Sequence, residues 1–288
     1  MKTAKNNSTQ KAFTLIELLV VISIVSILMS IILPCLSMAR RYCRAAICRS
    51  NIRQLHMANT CYALNNNDFY VLAARDLFRL DNGSASNGGY HRWHGVRQSD
   101  GISDDPELNT FDPAKGPLRS YLNDGKVKEC PAKVRYVKQG SLNAFEAGCG
   151  GYGYNAVGVG SRSYRYGFCD KAMRSSVRIT EIEQPVNKIM FTDTALSKGS
   201  PSCYIIEYSF CEPPDWVVSF GGGIKEIGSP KPSIHFRHLD KTTVVWCDGH
   251  VSVEDIDFPP EKKAVTDQYK IGWFGPQDNS LFRPSRTF

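Results

Sequence analysis

"KAFTLIELLVVISIVSILMSIILP", Lys11 to Pro34, decides how this chain is read. From Ala12 onward, its 23 residues hold one ionisable side chain, Glu17. The 24 residues from Phe13 to Leu36 form a helix of about 36 Å at about 1.5 Å per residue, enough to cross a hydrocarbon core of about 30 Å. A secretory signal has a shorter apolar core, about 7–15 residues, and ends at a small-x-small cleavage site, which is missing here. The stretch therefore reads as a transmembrane helix. Basic residues flank it on both sides (Lys2, Lys5 and Lys11 before; Arg40, Arg41, Arg44, Arg49 and Arg53 after), so charge asymmetry does not orient it. Glu17 stands out, because an intramembrane carboxylate costs about 2.5–3.5 kcal/mol on insertion scales and marks a function and a partner.

The same residues closely resemble the prepilin signal of type IV pilins and type II secretion pseudopilins. In that family a short basic leader ends at a small residue, a dedicated peptidase cuts before Phe, and the new N-terminus is methylated. The resemblance implies a cut between Ala12 and Phe13, with Ala12 standing where the family usually has Gly. It implies a cytoplasmic leader, a single-pass inner-membrane protein and a head that is periplasmic or part of an extracellular fibre. The implied partners are a prepilin peptidase/methyltransferase and other pilin-like subunits. It also gives Glu17 its partner, the α-amine freed at Phe13 of a neighbouring subunit in the fibre.

Past the membrane, Leu36, Ala39, Cys43, Ala46, Ile47, Leu55, Ala58 and Tyr62 recur at helical spacing, with Asn51 and the arginines assigned to other faces. One helix from about Thr14 to Leu64 is expected, stopped by "NNND" at 65–68. Pro34 removes a backbone bond within it, so a kink near Ser30 is expected. The form C-x-S-N-I-x-Q-L…Y-A, from Cys48, again resembles the pilin-type helix that packs on the head. Beyond Phe69 the chain turns to Gly, Pro, Asn and Ser, with short β-like runs at 127–130, 188–193, 203–210, 242–247 and 250–256. Insertions at 81–117 and 139–176 are read as irregular, and the last thirty or so residues as a tail on the head. The expected fold is α+β: a long N-terminal helix, transmembrane then amphipathic, packed on an antiparallel β-sheet head with long loops. Its divisions are a leader at 1–12, the membrane and assembly helix at 13–36, an amphipathic extension at 37–67 and the head at 68–288.

"HFRHLDKTTVVWCDGHVSV" is the most informative part of the head. Two alternating apolar runs flank Asp248-Gly249, a strong hairpin signal. His238, nine residues, then Asp248-Gly249 resembles the H-x9-D-G signature of a prepilin-associated family. Cys130-Pro131, "GYGYN" at 151–155 and Pro185 through Asp193 are further marks of it. His238 is expected to bond Asp248 or turn backbone and so fix the hairpin. A zinc reading competes through His235, His238, Cys247, Asp248 and His250, but strand alternation need not bring these together. Calcium is a further option, because Asp193, Asp240, Asp248, Glu254, Asp255 and Asp257 offer oxygens, although no D-x-D-x-D-G loop is present. No bound metal or cofactor is expected.

Other classes find little support. The net charge of +7 includes the three leader lysines, and no Lys/Arg block follows in the head, so nucleic acid is not an expected partner. Ten cysteines contain no C-x-x-C pair, which counts against a redox motif or zinc ribbon and leaves disulfide pairing open. "HRWH" at 91–94 reads as an exposed loop. Gly-rich 148–160 lacks the strand–loop–helix setting and the GK[ST] of a nucleotide loop, and reads as turns. No nucleophile–base pair is evident, so a non-enzymatic pilin-like subunit is the preferred function. The alternative is an exported binding or metal-dependent module on a pilin-type anchor.

Overall fold

A computed structural model describes residues 14–77, 80–81, 84–85, 89–98, 110–132, 134, 146–167, 169–198, 204–220, 223–228, 230–257 and 268–285. The contacts divide the chain into Met1–Cys43 and Arg44–Phe288. A single helix, α1 (Leu15–Asn65), runs through both and is unbroken at Pro34. It stops where expected: Asn67 and Asp68 adopt φ of 56° and 65°, a conformation Asn and Asp tolerate, and the Asp68 N–H turns back onto the Ala63 carbonyl at 2.9 Å.

In the first unit the side chains of α1 are exposed, including every large apolar residue from Leu15 to Leu33. Its best 18-residue window has a mean hydropathy of 2.8. In the second unit the buried face of α1 is Cys48, Asn51, Ile52, Leu55, His56, Ala58, Asn59 and Ala63, a stripe at i, i+3, i+4, i+7 spacing. This corrects two readings. Ile47 is half exposed, whereas Asn51 is buried and donates to the Glu129 carbonyl at 3.3 Å. Polar residues belong to this face because the head presents backbone and hydroxyl groups to it. Asn59 donates to Tyr154 Oη (3.1 Å) and accepts from the Val71 N–H (3.0 Å).

The centre of the head is a four-stranded antiparallel sheet made of β1 (Tyr152–Tyr154), β2 (Ile189–Asp193), β3 (Lys241–Trp246) and β4 (Val251–Asp255), in the order β4-β3-β2-β1. Val244 pairs with Thr192 on one side and Ser252 on the other, and Tyr152 pairs with Asp193. "GYGYN" is thus a strand rather than turns: its tyrosines are fully buried, and Tyr154 stacks on Phe191 at 4.7 Å. Residues 127–130, expected as a strand, are irregular, although the Cys130 N–H bonds the Gly150 carbonyl at 2.9 Å. Two antiparallel strand pairs, Leu196–Lys198 with Tyr204–Ile206 and Trp216–Phe220 with Gly223–Gly228, lie outside this sheet.

One hydrophobic cluster joins Ile52 and Leu55 of α1 to Tyr152, Tyr154, Phe191 and Val245, and a second gathers Phe236, Val244, Trp246, Trp273 and Phe282. Fully burying each such aliphatic side chain contributes about 1.5–3 kcal/mol. The tail is woven in: Ile271–Gly272 pairs with Ile234–His235, and Phe282 is buried. "HRWH" is not an exposed loop. Arg92, Trp93 and His94 are all buried, Arg92 against Glu146, because the ring of Phe111 and the sheet cover them.

Candidate functional site

At its N-terminus α1 opens with a reciprocal cap. Glu17 Oε2 accepts from the Thr14 N–H (2.8 Å) and the Thr14 hydroxyl (2.7 Å), and Thr14 Oγ1 accepts from the Glu17 N–H at 3.3 Å. This is the capping box, readable as T-x-x-E at 14–17. The carboxylate therefore has a partner in the uncleaved chain, which corrects the expectation that cleavage alone creates one. The predicted cleavage residues, Ala12 and Phe13, lie outside the described residues.

At the C-terminal motif the hairpin forms as expected. The Trp246 N–H bonds the His250 carbonyl (3.1 Å), the Gly249 N–H bonds the Trp246 carbonyl (2.9 Å), and Gly249 takes φ 91°. His56 Nε2 meets the Cys247 carbonyl at 3.1 Å, so the turn sits against α1. A Cβ on Gly249 would come within 2.9 Å of the His56 ring.

His238 does not bond Asp248. β3 runs between them, and its six residues at about 3.3 Å each hold the ends about 20 Å apart. Asp248 instead accepts from the His250 ring (2.7 Å) and the His250 N–H (3.1 Å). His238 turns the chain into β3 through a tight two-residue turn at Leu239 and Asp240, both at positive φ (57° and 63°). Its ring goes elsewhere.

That ring enters a buried cluster of Cys48, Cys130, Asp193 and His238, whose donor atoms all lie within 4.8 Å of one another. Cys130 Sγ is 3.2 Å from His238 Nε2 and 3.6 Å from Cys48 Sγ. Cys48 Sγ is 3.3 Å from Asp193 Oδ1, and His238 Nε2 is 3.6 Å from Asp193 Oδ2. The supports differ in kind: a helix face for Cys48, an irregular segment for Cys130, the end of β2 for Asp193 and a tight turn for His238. Around them, Tyr152 Oη donates to Cys48 Sγ (3.4 Å), the Thr243 N–H donates to Asp193 Oδ2 (2.9 Å), and Arg237 Nε lies 3.9 Å from Asp193 Oδ1.

Burial works against charge here, and the neighbours overcome it. Asp193 is held down to about 2 despite complete burial, by His238, Arg237 and the Thr243 amide. His238, which burial alone would lower, is raised to about 9 by Asp193 and Cys130. The Cys48 thiol hydrogen bond brings Cys130 down to about 5, while burial pushes Cys48 itself up. Opposite charges at close quarters in a dry setting make the cluster suited to binding a cation or to forming a rigid ion-pair network.

The ligand sets weighed from sequence do not assemble. Of the zinc candidates only His238 is in the cluster; Cys247, Asp248 and His250 lie at the far end of β3. Of the six acidic residues considered for calcium, Asp193 joins the thiols. Asp240 faces Lys270 (3.8 Å), Asp255 faces Lys241 (2.6 Å), Asp248 faces His250, and Asp257 accepts from the Gly275 N–H (2.7 Å). Cys48, Cys130 and Asp193 were legible only as separate marks.

The N-terminal segment also has a match among known families. Residues 7–33 match the prokaryotic N-terminal methylation motif. The chain is thus prepilin-like at its start, and the match implies processing by a prepilin peptidase and assembly with other pilin subunits. Together with the long apolar helix it fits a single-pass membrane anchor. No curated protein and no solved structure matches the chain.

Proposed function

We propose that this protein is a non-enzymatic pilin-like structural subunit of a type II secretion or type IV pilus-like assembly. The precursor is stored in the inner membrane with its leader in the cytoplasm. A prepilin peptidase cuts between Ala12 and Phe13, the α-amine of Phe13 is methylated, and residues 13–36 pack against neighbouring subunits. The methylation motif over residues 7–33 carries this reading. The exposed apolar face of α1 supports it, because such a surface needs lipid or other apolar helices to cover it. Glu17 then has two successive roles. Before cleavage it caps α1 through Thr14; afterwards it meets the Phe13 α-amine of the next subunit, a pairing that sets axial register in a medium where an unpaired carboxylate is costly.

Intact-mass spectrometry of the full chain extracted from membranes, with and without a prepilin peptidase, tests the proposal. The expected product lacks residues 1–12 and carries one methyl on Phe13. A chain that keeps residues 1–12 in the presence of the peptidase overturns it.

A further inference from the structure

Four donors from distant parts of the sequence do not converge on one buried point without a consequence. Zn–S of about 2.3 Å, Zn–N of about 2.0 Å and Zn–O of about 2.1 Å at the tetrahedral angle set neighbouring donors about 3.4–3.8 Å apart. The thiol–thiol separation of 3.6 Å falls on such an edge, and Cys130 to His238 Nε2 (3.2 Å) and Cys48 to Asp193 Oδ1 (3.3 Å) lie just inside one; the other Asp193 oxygen, Oδ2, is 3.6 Å from His238 Nε2. Two thiolates, one imidazole and one carboxylate form a donor set of the kind that selects zinc over the harder calcium or magnesium.

We propose that Cys48, Cys130, Asp193 and His238 bind one zinc ion, which fastens the α1 segment within Arg44–Phe288 to β2 and to the turn before β3. The charges fit. Zn2+ and the Arg237 guanidinium together balance two thiolates and the Asp193 carboxylate, leaving a neutral centre in a dry place. The outer groups fit as well. Tyr152 Oη donates to Cys48 Sγ, and the Thr243 amide occupies Asp193 Oδ2, which leaves Oδ1 for the metal. Cys130 is half-buried and gives the ion its way in. Four protein ligands leave no position for water or substrate, so the site is structural and not hydrolytic. In the pilin-like assembly proposed above, on which this role rests, it holds the α1 segment within Arg44–Phe288 to the rest of the head.

The test uses the full chain, purified in detergent without chelator. Elemental analysis should find about one zinc per chain, and cobalt(II) exchanged into the site should give thiolate charge-transfer and tetrahedral ligand-field absorption. Both should vanish in Cys130→Ser and His238→Ala and persist in Cys61→Ser, whose thiol is exposed on α1. Should the ligand variants fail to fold, Tyr152→Phe decides, with an expected loss of about 10- to 100-fold in zinc affinity by chelator competition. Several results overturn the proposal. One is a metal-free chain with both thiols open to alkylation, and another is a metal-free chain with Cys48 and Cys130 joined as a disulfide. Unchanged zinc content in His238→Ala, or unchanged affinity in Tyr152→Phe, does so as well.

Discussion

Glu146→Leu should be among the most damaging single changes in the head. Arg92 and Glu146 are each about 1% exposed, and the guanidinium holds the carboxylate through Nε (2.9 Å to each oxygen) and Nη2 (2.5 Å). Ser209 donates to the same carboxylate, while the Ser209 carbonyl accepts from Trp93 Nε1 at 2.8 Å. Removing the carboxylate leaves a buried cation whose remaining company among the described residues is the His91 carbonyl and the rings of Phe111 and Phe210, 5.2 and 5.3 Å away. Breaking a buried pair from one side costs about 3–5 kcal/mol, whereas replacing both members by apolar residues of similar volume is often neutral or better. Arg92→Met with Glu146→Leu should therefore recover most of the loss, because the aromatic walls suit a thioether. Urea denaturation of the detergent-solubilised full chain, followed by tryptophan fluorescence, should show the single variant's midpoint lowered by at least about 1 M. A single-variant cost below about 1 kcal/mol, or a double variant no better than the single one, would refute the reasoning.

Two further outcomes follow from local geometry. His94 is buried with neither ring nitrogen bonded among the described residues, and burial, aided by Arg92, holds its pKa well below 6.5. Above that pH both folded and unfolded forms are neutral; below it the unfolded chain takes the proton first. His94 should therefore make stability fall as pH drops, by up to about 1.4 kcal/mol per unit, and His94→Phe should lessen the fall of the thermal midpoint between pH of about 6.5 and 5, leaving the share of buried His56 and His235. Identical pH curves for the two chains would contradict this. Gly249→Ala forces a side chain onto φ 91° and toward the His56 ring, so it should destabilise by about 1–3 kcal/mol. A Gly249→Ala chain as stable as the parent in the same urea assay would remove that role from the turn.

Much of the architecture is local and was legible. Twenty-three residues with one charge make a helix long and apolar enough to cross a membrane, the Asn-Asn-Asn-Asp stop needs only residues that accept positive φ, and Asp248-Gly249 between alternating runs signals a hairpin. The capping box at Thr14 and Glu17 was equally legible as T-x-x-E; the intramembrane cost of Glu17 drew the reading toward an external partner instead. Two misreadings share one cause. "HRWH" and "GYGYN" are short and lack periodicity, and their burial depends on what covers them, Phe111 and Glu146 for one, β2 and α1 for the other. What only the tertiary structure decided is the partner of His238. Asp248 is close in sequence, yet an intervening strand is rigid and extended, so it separates its own ends. The donors that do meet, Cys48, Cys130 and Asp193, are 190, 108 and 45 positions away in the numbering. Sequence proximity sets the elements; packing helix face, loop and strand end about one core sets which side chains share a site.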